Sequence, residues 1–249
     1  MTDAAPSLEL YVPDGRIQKA LVVTAHPDDV DFGAAGSVAT LTSAGVEVAY
    51  CIVTDGDAGG SDLTMPRAEM AAIRRREQTA AAAQVGVHQV EFLGHPDGRL
   101  TLTLELRRDV TRVIRRFRPD LVITQSPERD FSRIFASHPD HLAAGEAAVC
   151  AVYPDSRNPF AHPELLEAEG LEPHTVGALW MMAGPTSNLA VDTTARFERK
   201  VAALQQHRSQ VGEGEWIDKR LREWGELTAA AAGLPDGSIA ESFRAVATG

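Results

Sequence analysis

The sequence predicts an α/β fold with a Rossmann-like, mostly parallel sheet flanked by helices. Short runs of Val, Ile and Leu alternate with amphipathic or Ala-rich helical patterns through the first half of the chain. Such alternation is typical of βα units, because parallel strands need a crossover between them. The length of 249 residues and the 44% hydrophobic content suffice for one substantial core. We therefore predict a single domain over residues 1–249, with residues 1–18 as an amino-terminal extension.

The predicted strands share a high content of β-branched and apolar residues, which is typical of buried strands. They span residues 20–24, 46–54, 90–93, 121–125, 176–182 and 189–191. The predicted helices show apolar residues at helical spacing or are rich in Ala. They span residues 36–44, 67–84, 104–117, 142–152, 194–208 and 215–232. Because the carboxyl ends of parallel strands meet at one edge of a sheet, we expect the active site there.

The connections between these elements carry fewer signals. The Gly-rich loop 55–60 lacks the spacing of a nucleotide fingerprint, so we predict that it forms a flexible rim of the pocket. The Pro-rich segment 153–159 is predicted to be a surface loop that influences substrate choice, and 184–188 a turn near the pocket. We expect a structural role for His207, and we expect Trp180 to lie in the core.

The tetrapeptide His26-Pro27-Asp28-Asp29 follows the first predicted strand directly. A catalytic zinc ion needs three protein ligands and one position open for water, and His26 and Asp29 suit two of the ligand positions. Pro27 restricts the turn. Asp28, beside the metal but not bound to it, would then take a proton from water as general base. The alternative is a polar turn that caps the next helix.

A second cluster, His138-Pro139-Asp140-His141, precedes an Ala-rich helical pattern. Histidines three residues apart share one face at the start of a helix, so one can bind metal while the other assists. Alternatively, Ser137 or Asp140 caps a helix that begins near Leu142, and the histidines are solvated. Because metal sites need ligands that converge from separate segments, the two clusters together predict a metal hydrolase.

In this order, the motifs resemble those of the LmbE-like (PIG-L type) zinc-dependent N-deacetylases. The resemblance rests on residues 24–29, on Gly33-Ala34-Ala35-Gly36 and on the second histidine cluster. Further matches lie at residues 74–77, 93–98, 200–210 and 240–244. The resemblance therefore covers the chain from about residue 19 to near its carboxyl end.

The resemblance implies a role for each residue that matches the family pattern. His26, Asp29 and His141 would bind Zn²⁺. Asp28 would activate the zinc-bound water as general base, and His138 would stabilise the oxyanion, best as an imidazolium.

Arg74 and Asp97 would contact the sugar of the substrate. Arg74 has an alternative as part of a solvated basic helix face, and Asp97 as an ordinary residue of a Pro-Asp-Gly turn. Two positions depart from the family pattern: Val30 stands where a glutamate is common, and Ala136 where some relatives carry a tyrosine. Neither departure removes an implied zinc ligand.

The activity that the resemblance implies is removal of the acetyl group from an N-acetylglucosamine unit in a small conjugate or natural product. One alternative is an amidase that cleaves a larger acyl amide of an aminosugar thiol conjugate. Another is a non-catalytic sugar-binding protein, which the presence of Asp28 and His138 disfavours. The implied cofactor is Zn²⁺, although a His, Asp, His site also suits Fe²⁺ or Co²⁺.

Composition and charge limit the classes of partner that we expect for this protein. The formal net charge of −11 disfavours binding to nucleic acid and to anionic membranes. No apolar run approaches the about 20 residues of a spanning helix, and the first residues lack a signal-peptide pattern, so we expect a cytoplasmic protein. The expected partner is a small N-acetyl aminosugar conjugate, with homo-oligomer formation left open. Cys51 and Cys150 are predicted to be buried, reduced thiols.

Overall fold

The structure is a computed structural model that describes residues 8–60, 62–212 and 216–249. In chain order, its first elements are β1 (Glu9–Tyr11), β2 (Lys19–Thr24), α1 (Asp29–Gly33), α2 (Ala35–Ser43), β3 (Glu47–Thr54), α3 (Arg67–Gln84), β4 (Gln89–His95), α4 (Leu104–Phe117) and β5 (Leu121–Gln125). The remaining elements are α5 (Pro139–Cys150), α6 (Pro163–Glu167), β6 (Ala178–Met182), β7 (Leu189–Asp192), α7 (Phe197–Leu204), α8 (Arg208–Val211), α9 (Trp216–Ala231) and β8 (Ala240–Ala247). The predicted α/β class is confirmed.

The eight strands of the described residues form one sheet in the order β1-β7-β8-β6-β5-β2-β3-β4. The pairs β1 with β7, β2 with β3 and β5, β3 with β4, and β5 with β6 are parallel. Strand β8 is antiparallel to both β6 and β7. The sheet is therefore mixed but mostly parallel, as the sequence predicts.

Strands β1 and β8 are absent from the sequence-based prediction. β1 lies within the predicted amino-terminal extension and joins the edge of the sheet beside β7, while residues 1–7 of that extension lie outside the described part. β8 places the charged residues Glu241 and Arg244 among apolar ones and is exposed toward its end, which obscures the strand pattern.

The core lies on both faces of the sheet. In β2, Val22 packs in one apolar cluster and Leu21 and Val23 pack in the other. Such burial on both faces is typical of a central strand in a parallel sheet and explains the continuous apolar run in the sequence. Trp180 lies in the first cluster, as predicted for a core residue, and Met182 lies there as well.

Four local predictions need correction. α5 begins at Pro139, before the predicted start, and the predicted helix 194–208 ends at Leu204, because the buried His207 leaves the helical path. Glu215, the predicted start of the last helix, lies outside the described residues. Segment 153–159 is not wholly a surface loop, since Asp155 is 2% exposed and accepts hydrogen bonds from Arg107.

The fourth correction concerns the thiols. Cys51 is buried, as predicted, whereas Cys150 is partly exposed, and both are free. None of the described helices combines the length and the hydrophobicity that crossing a membrane requires.

Helix α5, which carries the second histidine cluster, packs against the end of β5 through Gly145. A Cβ atom at this position would lie 2.3 Å from the carbonyl oxygen of Gln125 and 3.2 Å from the nitrogen of Pro127. Both contacts are with backbone, so relief requires that the helix moves away from the strand.

We expect Gly145→Ala to lower the free energy of unfolding by about 2 kcal/mol, because overpacking outweighs the gain of about 1 kcal/mol in helix propensity. Urea denaturation measures the difference. Gly177→Ala is the control, since its Cβ would lie 3.4 Å from the carbonyl oxygen of Asp120, an ordinary contact. A Gly145→Ala protein as stable as the parent would contradict the close approach of α5 to β5.

Candidate metal centre

The turn at residues 26–29 leaves the carboxyl end of β2 and enters α1 with an unusual backbone. Asp28 has φ 92°, in the left-handed region that residues other than glycine rarely adopt. Its amide donates to Gln78 Oε1 at 2.8 Å. Arg74 donates to the carbonyl oxygen of Pro27 and, at 3.1 Å, to Asp28 Oδ2. Two side chains of α3 therefore hold the turn in this conformation.

Asp29 lies between two histidines, His26 of the first motif and His141 of the second. Its Oδ2 atom is 3.3 Å from His26 Nδ1 and accepts a hydrogen bond from the His26 amide at 2.7 Å. Its Oδ1 atom is 3.0 Å from His141 Nε2. The ring of His138 lies 5.1 Å from that of His26 and 5.3 Å from that of His141, measured between centroids. The structure thus brings these four predicted site residues together.

The second nitrogen of each imidazole next to Asp29 is oriented by the protein. His26 Nε2 lies 3.1 Å from Asp97 Oδ1 and 3.2 Å from Asp140 Oδ2. His141 Nδ1 lies 3.2 Å from the carbonyl oxygen of Ala136. With protons on these two nitrogens, His26 Nδ1 and His141 Nε2 keep their lone pairs for a cation.

Asp140, which the sequence suggested only as a helix cap, lies buried beside His26. It is 1% exposed. Besides facing His26, its Oδ2 accepts from the amide of Gly98 at 2.7 Å and its Oδ1 accepts from the amide of Leu100 at 3.1 Å. Its position inside the His-Pro-Asp-His motif is the only signal in the sequence, and local spacing does not show which histidine it contacts.

His138 itself caps α5, so the alternative in which Ser137 or Asp140 is the cap is wrong. His138 Nδ1 accepts from the amide of Asp140 at 3.2 Å, while Ser137 Oγ accepts from the amide of Asp130. Partial burial and the neighbouring His26 and His141 lower the pKa of His138. Both observations favour a neutral ring that donates through Nε2 rather than the expected imidazolium.

The donor set fits a metal cation. In the part of the chain that the structure describes, two groups of side chains have possible ligand atoms within 4.8 Å of one another: His26, His138 and His141 form one group, and His26, Asp97 and Asp140 form the other. Imidazole nitrogens and carboxylate oxygens are common ligands of Zn²⁺.

The electrostatics of this site also favour positive charge. Burial would lower the pKa of His26, but Asp29, Asp140 and Asp97 outweigh it and raise that pKa to about 12. Burial would raise the pKa of Asp29, yet His141 and His26 hold it well below its ordinary value. A cation bound among these groups gains from the same carboxylate charge.

Arg74 points inward from α3, so the alternative of a solvated basic face is wrong. It is 4% exposed and donates to the carbonyl oxygen of Gly56 at 3.1 Å. A Cβ atom at Gly59 would lie 2.6 Å from Arg74 Nη1, so the glycines of loop 55–60 make room for the guanidinium. Burial raises the pKa of the adjacent Asp28 to about 6 against the opposing charge of Arg74, and Asp29 adds to the rise.

These side chains line a polar cavity of about 360 Å³. Arg74, Asp97, His138 and Asp28 contribute to its wall, and Gly59 of the Gly-rich loop forms part of its rim, as predicted. Asp97 is more than a turn residue, because it is 8% exposed and its Oδ2 accepts from the amide of Ala58 at 3.1 Å.

Sequence reasoning missed a buried polar network behind the turn. Gln78 Nε2 donates to Asp31 Oδ2 at 2.8 Å, and His207 Nε2 lies 2.8 Å from the same oxygen. All three side chains are 0% exposed. Burial opposes the charged form of His207, but Asp31 outweighs it and raises the pKa of the imidazole. The network lies next to Asp28 through Gln78.

The chain matches the family model described as "PIG-L: GlcNAc-PI de-N-acetylase" over residues 21–152. It is 32% identical over 204 residues to diacetylchitobiose deacetylase from Thermococcus kodakarensis. The aligned residues cover 82% of this chain and 74% of that protein. It is 27% identical to 1D-myo-inositol 2-acetamido-2-deoxy-alpha-D-glucopyranoside deacetylase from Rhodococcus erythropolis, over 78% of this chain and 81% of that one.

A solved structure shows the same fold. N,N'-diacetylchitobiose deacetylase from Pyrococcus horikoshii, in complex with its inhibitor MPG, superposes with a TM-score of 0.84 at 30% sequence identity. The match covers 94% of this chain and 86% of that one. The similarity therefore extends well beyond the residues that the family model matches.

We expect Gln78→Leu to lower the free energy of unfolding by about 2–3 kcal/mol, because buried groups of Asp28 and Asp31 each lose a hydrogen-bond partner. Gln84→Leu, at an exposed position of the same helix, is the matched control, with an expected change within about 0.5 kcal/mol. The midpoints of urea unfolding measure both. Equal midpoints for the two variants would show that Gln78 does not support the turn.

Proposed function

The chain belongs to the PIG-L family of metal-dependent N-deacetylases, and we propose that it removes the acetyl group from an N-acetylglucosamine unit in a small conjugate. The observation that carries this proposal is Asp29 between His26 and His141, with Asp28 beside it on the wall of a polar cavity. The named relatives are deacetylases of diacetylchitobiose and of an inositol N-acetylglucosaminide, which supports the choice of sugar.

We assign metal binding to His26, Asp29 and His141. The support is that His26 Nδ1 and His141 Nε2 both face Asp29, while their other nitrogens face protein acceptors. The group of His26, Asp97 and Asp140 suits a metal less well, because backbone amides already donate to both oxygens of Asp140. A divalent ion bound here, Zn²⁺ by preference with Fe²⁺ or Co²⁺ as alternatives, supplies Lewis acidity to a water molecule and to the amide carbonyl.

We assign the proton transfers to Asp28. Because Arg74 donates to Asp28 Oδ2, the oxygen proposed to take the proton of the attacking water is Oδ1. The same proton then passes to the leaving amine nitrogen, so that the carboxylate is regenerated. The left-handed backbone at Asp28 keeps its carboxylate apart from that of Asp29, which leaves one group for the metal and one for the proton.

The remaining predicted residues have supporting roles in this proposal. His138 donates from Nε2 to the oxyanion that develops on the carbonyl oxygen, since its Nδ1 is occupied by the Asp140 amide. Arg74 and Asp97 line the polar cavity and contact the hydroxyl groups of the sugar, and each also orients a site residue, Asp28 and His26 respectively.

For Asp28→Asn, we expect kcat to fall by about 10² to 10⁴ while the bound metal is retained, because the general base is lost but no metal ligand is. Acetate release from a panel of N-acetylglucosaminides measures the activity, and elemental analysis measures the metal. Asp236→Asn, at an exposed loop position, is the control. An active Asp28→Asn protein would exclude Asp28 as the base, and a metal-loaded parent that releases no acetate from any member would contradict the proposed function.

For His141→Ala, we expect the metal content of the purified protein to fall at least tenfold, because one of three ligands is removed. His88→Ala, at an exposed site, should keep the full content. Asp97→Asn should also keep most of the metal, as a residue that orients a ligand. If Asp97→Asn loses the metal and His141→Ala retains it, the ion belongs to the group of His26, Asp97 and Asp140.

A further inference from the structure

A second and larger cavity, of about 790 Å³, opens beside the metal centre. Asp29, Phe135 and His141 line both this cavity and the polar one, so the two spaces adjoin at the proposed reaction centre. We propose that the larger cavity binds an apolar or aromatic aglycone attached to the N-acetylglucosamine unit, an inference that rests on the proposed function.

One wall of the cavity is a face of α9 with two tryptophans. Trp216 and Trp224 are eight residues apart, which places them on the same helix face, and they are 49% and 39% exposed. The guanidinium of Arg220, between them in sequence, lies 5.0 Å from the ring centroid of Trp224. Large aromatic side chains left accessible in a concave surface are typical of ligand sites.

Apolar side chains outside α9 also line the cavity. Met182 at the end of β6, Phe32 in α1 and Phe135 contribute to it. Phe135 is 67% exposed, so it presents most of its ring beside the metal centre. An apolar group that entered the cavity would remove these side chains from water together with its own surface.

Several polar side chains of the cavity already have protein partners, and the guanidinium of Arg220 is stacked on Trp224. Lys200 Nζ donates to Glu241 Oε1 and to the carbonyl oxygen of Phe32. Arg133 donates to Asp130 and to the carbonyl oxygen of Gly184. The hydroxyl groups of the cavity donate within the protein as well, Ser187 to Ser242 and Thr193 to the carbonyl oxygen of Ile239.

This pattern favours an apolar aglycone over a second sugar. A second sugar would bring several hydroxyl groups into a space where Lys200, Arg133 and Thr193 already donate to protein acceptors, and each unpaired hydroxyl that leaves water costs free energy. An alkyl or aryl group needs no such partners. We therefore expect this chain to prefer a substrate with an apolar aglycone, in contrast to a relative that acts on diacetylchitobiose.

The covalent structure of the substrate agrees with two adjoining cavities. In N-acetylglucosamine, the acetamide is on C2 and the glycosidic oxygen is on the neighbouring C1. With the amide at the metal centre and the sugar in the polar cavity, an aglycone on C1 leaves the ring next to Asp29 and His141, where the larger cavity begins. A volume of about 790 Å³ accommodates a group larger than one sugar.

The test compares kcat/KM for acetate release from methyl, hexyl and phenyl N-acetylglucosaminides and from diacetylchitobiose, with the metal-loaded full chain. We expect the hexyl and phenyl glycosides to exceed both the methyl glycoside and diacetylchitobiose at least tenfold, because added binding energy raises kcat/KM. Equal values across the series, or the highest value for diacetylchitobiose, would overturn the inference and leave the proposed function in place. No acetate from any member would overturn the proposed function itself.

Variants of the α9 face locate the effect. Trp224→Ala should lower the ratio of hexyl to methyl values at least fivefold, and Leu227→Asn, at a position that is 71% exposed, should lower it in the same direction without a core change. Phe160→Ala, which removes an apolar side chain that is 87% exposed outside the cavity, should leave the ratio unchanged. If the α9 variants change the oligomeric mass in light scattering but not the ratio, the face is a contact between copies of the chain, and the inference fails.

Discussion

A left-handed backbone at Asp28 divides two adjacent carboxylates between different partners. Asp29 faces His26 and His141, whereas Asp28 faces Arg74. Strain of this kind costs about 1–3 kcal/mol and persists only where the surroundings fix it. Here Gln78 accepts a hydrogen bond from the Asp28 amide, and Arg74 donates hydrogen bonds to Pro27 and Asp28. Helix α3 therefore determines the geometry of the turn that follows β2. The metal centre therefore depends on the packing of this helix as much as on its own ligands.

Orientation of the histidines depends on a second set of contacts, from outside the turn. Asp140 and Asp97 face one nitrogen of His26, and the carbonyl oxygen of Ala136 faces one nitrogen of His141. Asp140 also accepts hydrogen bonds from the amides of Gly98 and Leu100, in the segment after β4. One carboxylate therefore connects α5, that segment and the end of β2. Because the imidazoles cannot rotate without breaking these contacts, their lone pairs are fixed before any ligand binds.

The sequence predicts most of the sheet and the residues of the centre, because both depend on local patterns: apolar runs for the strands and two short motifs for the site. It does not predict β8, whose Glu241 is acceptable in a buried strand only because Lys200 and the amides of Gly36 and Ser37 donate to it. Nor does it predict the partners of Asp31, since Gln78 and His207 lie 47 and 176 residues away. Arg74 lies on the buried face of α3 with Met70 and Gln78, as helical spacing allows. The room for its guanidinium comes from Gly56 and Gly59, which are distant in the sequence and which helical periodicity does not reveal.

The place of β8 in the sheet makes one strand responsible for two separate features of the molecule. Among the strands that the structure describes, β7 is joined to the rest of the sheet only through β8, because its other neighbour is the edge strand β1. Within the described residues, strand pairing thus connects β1 and β7 to the central strands through β8. Ala240, Glu241 and Ser242 of β8 also line the larger cavity. The attachment of β1 and β7 to the sheet and one wall of the larger cavity therefore depend on the same strand.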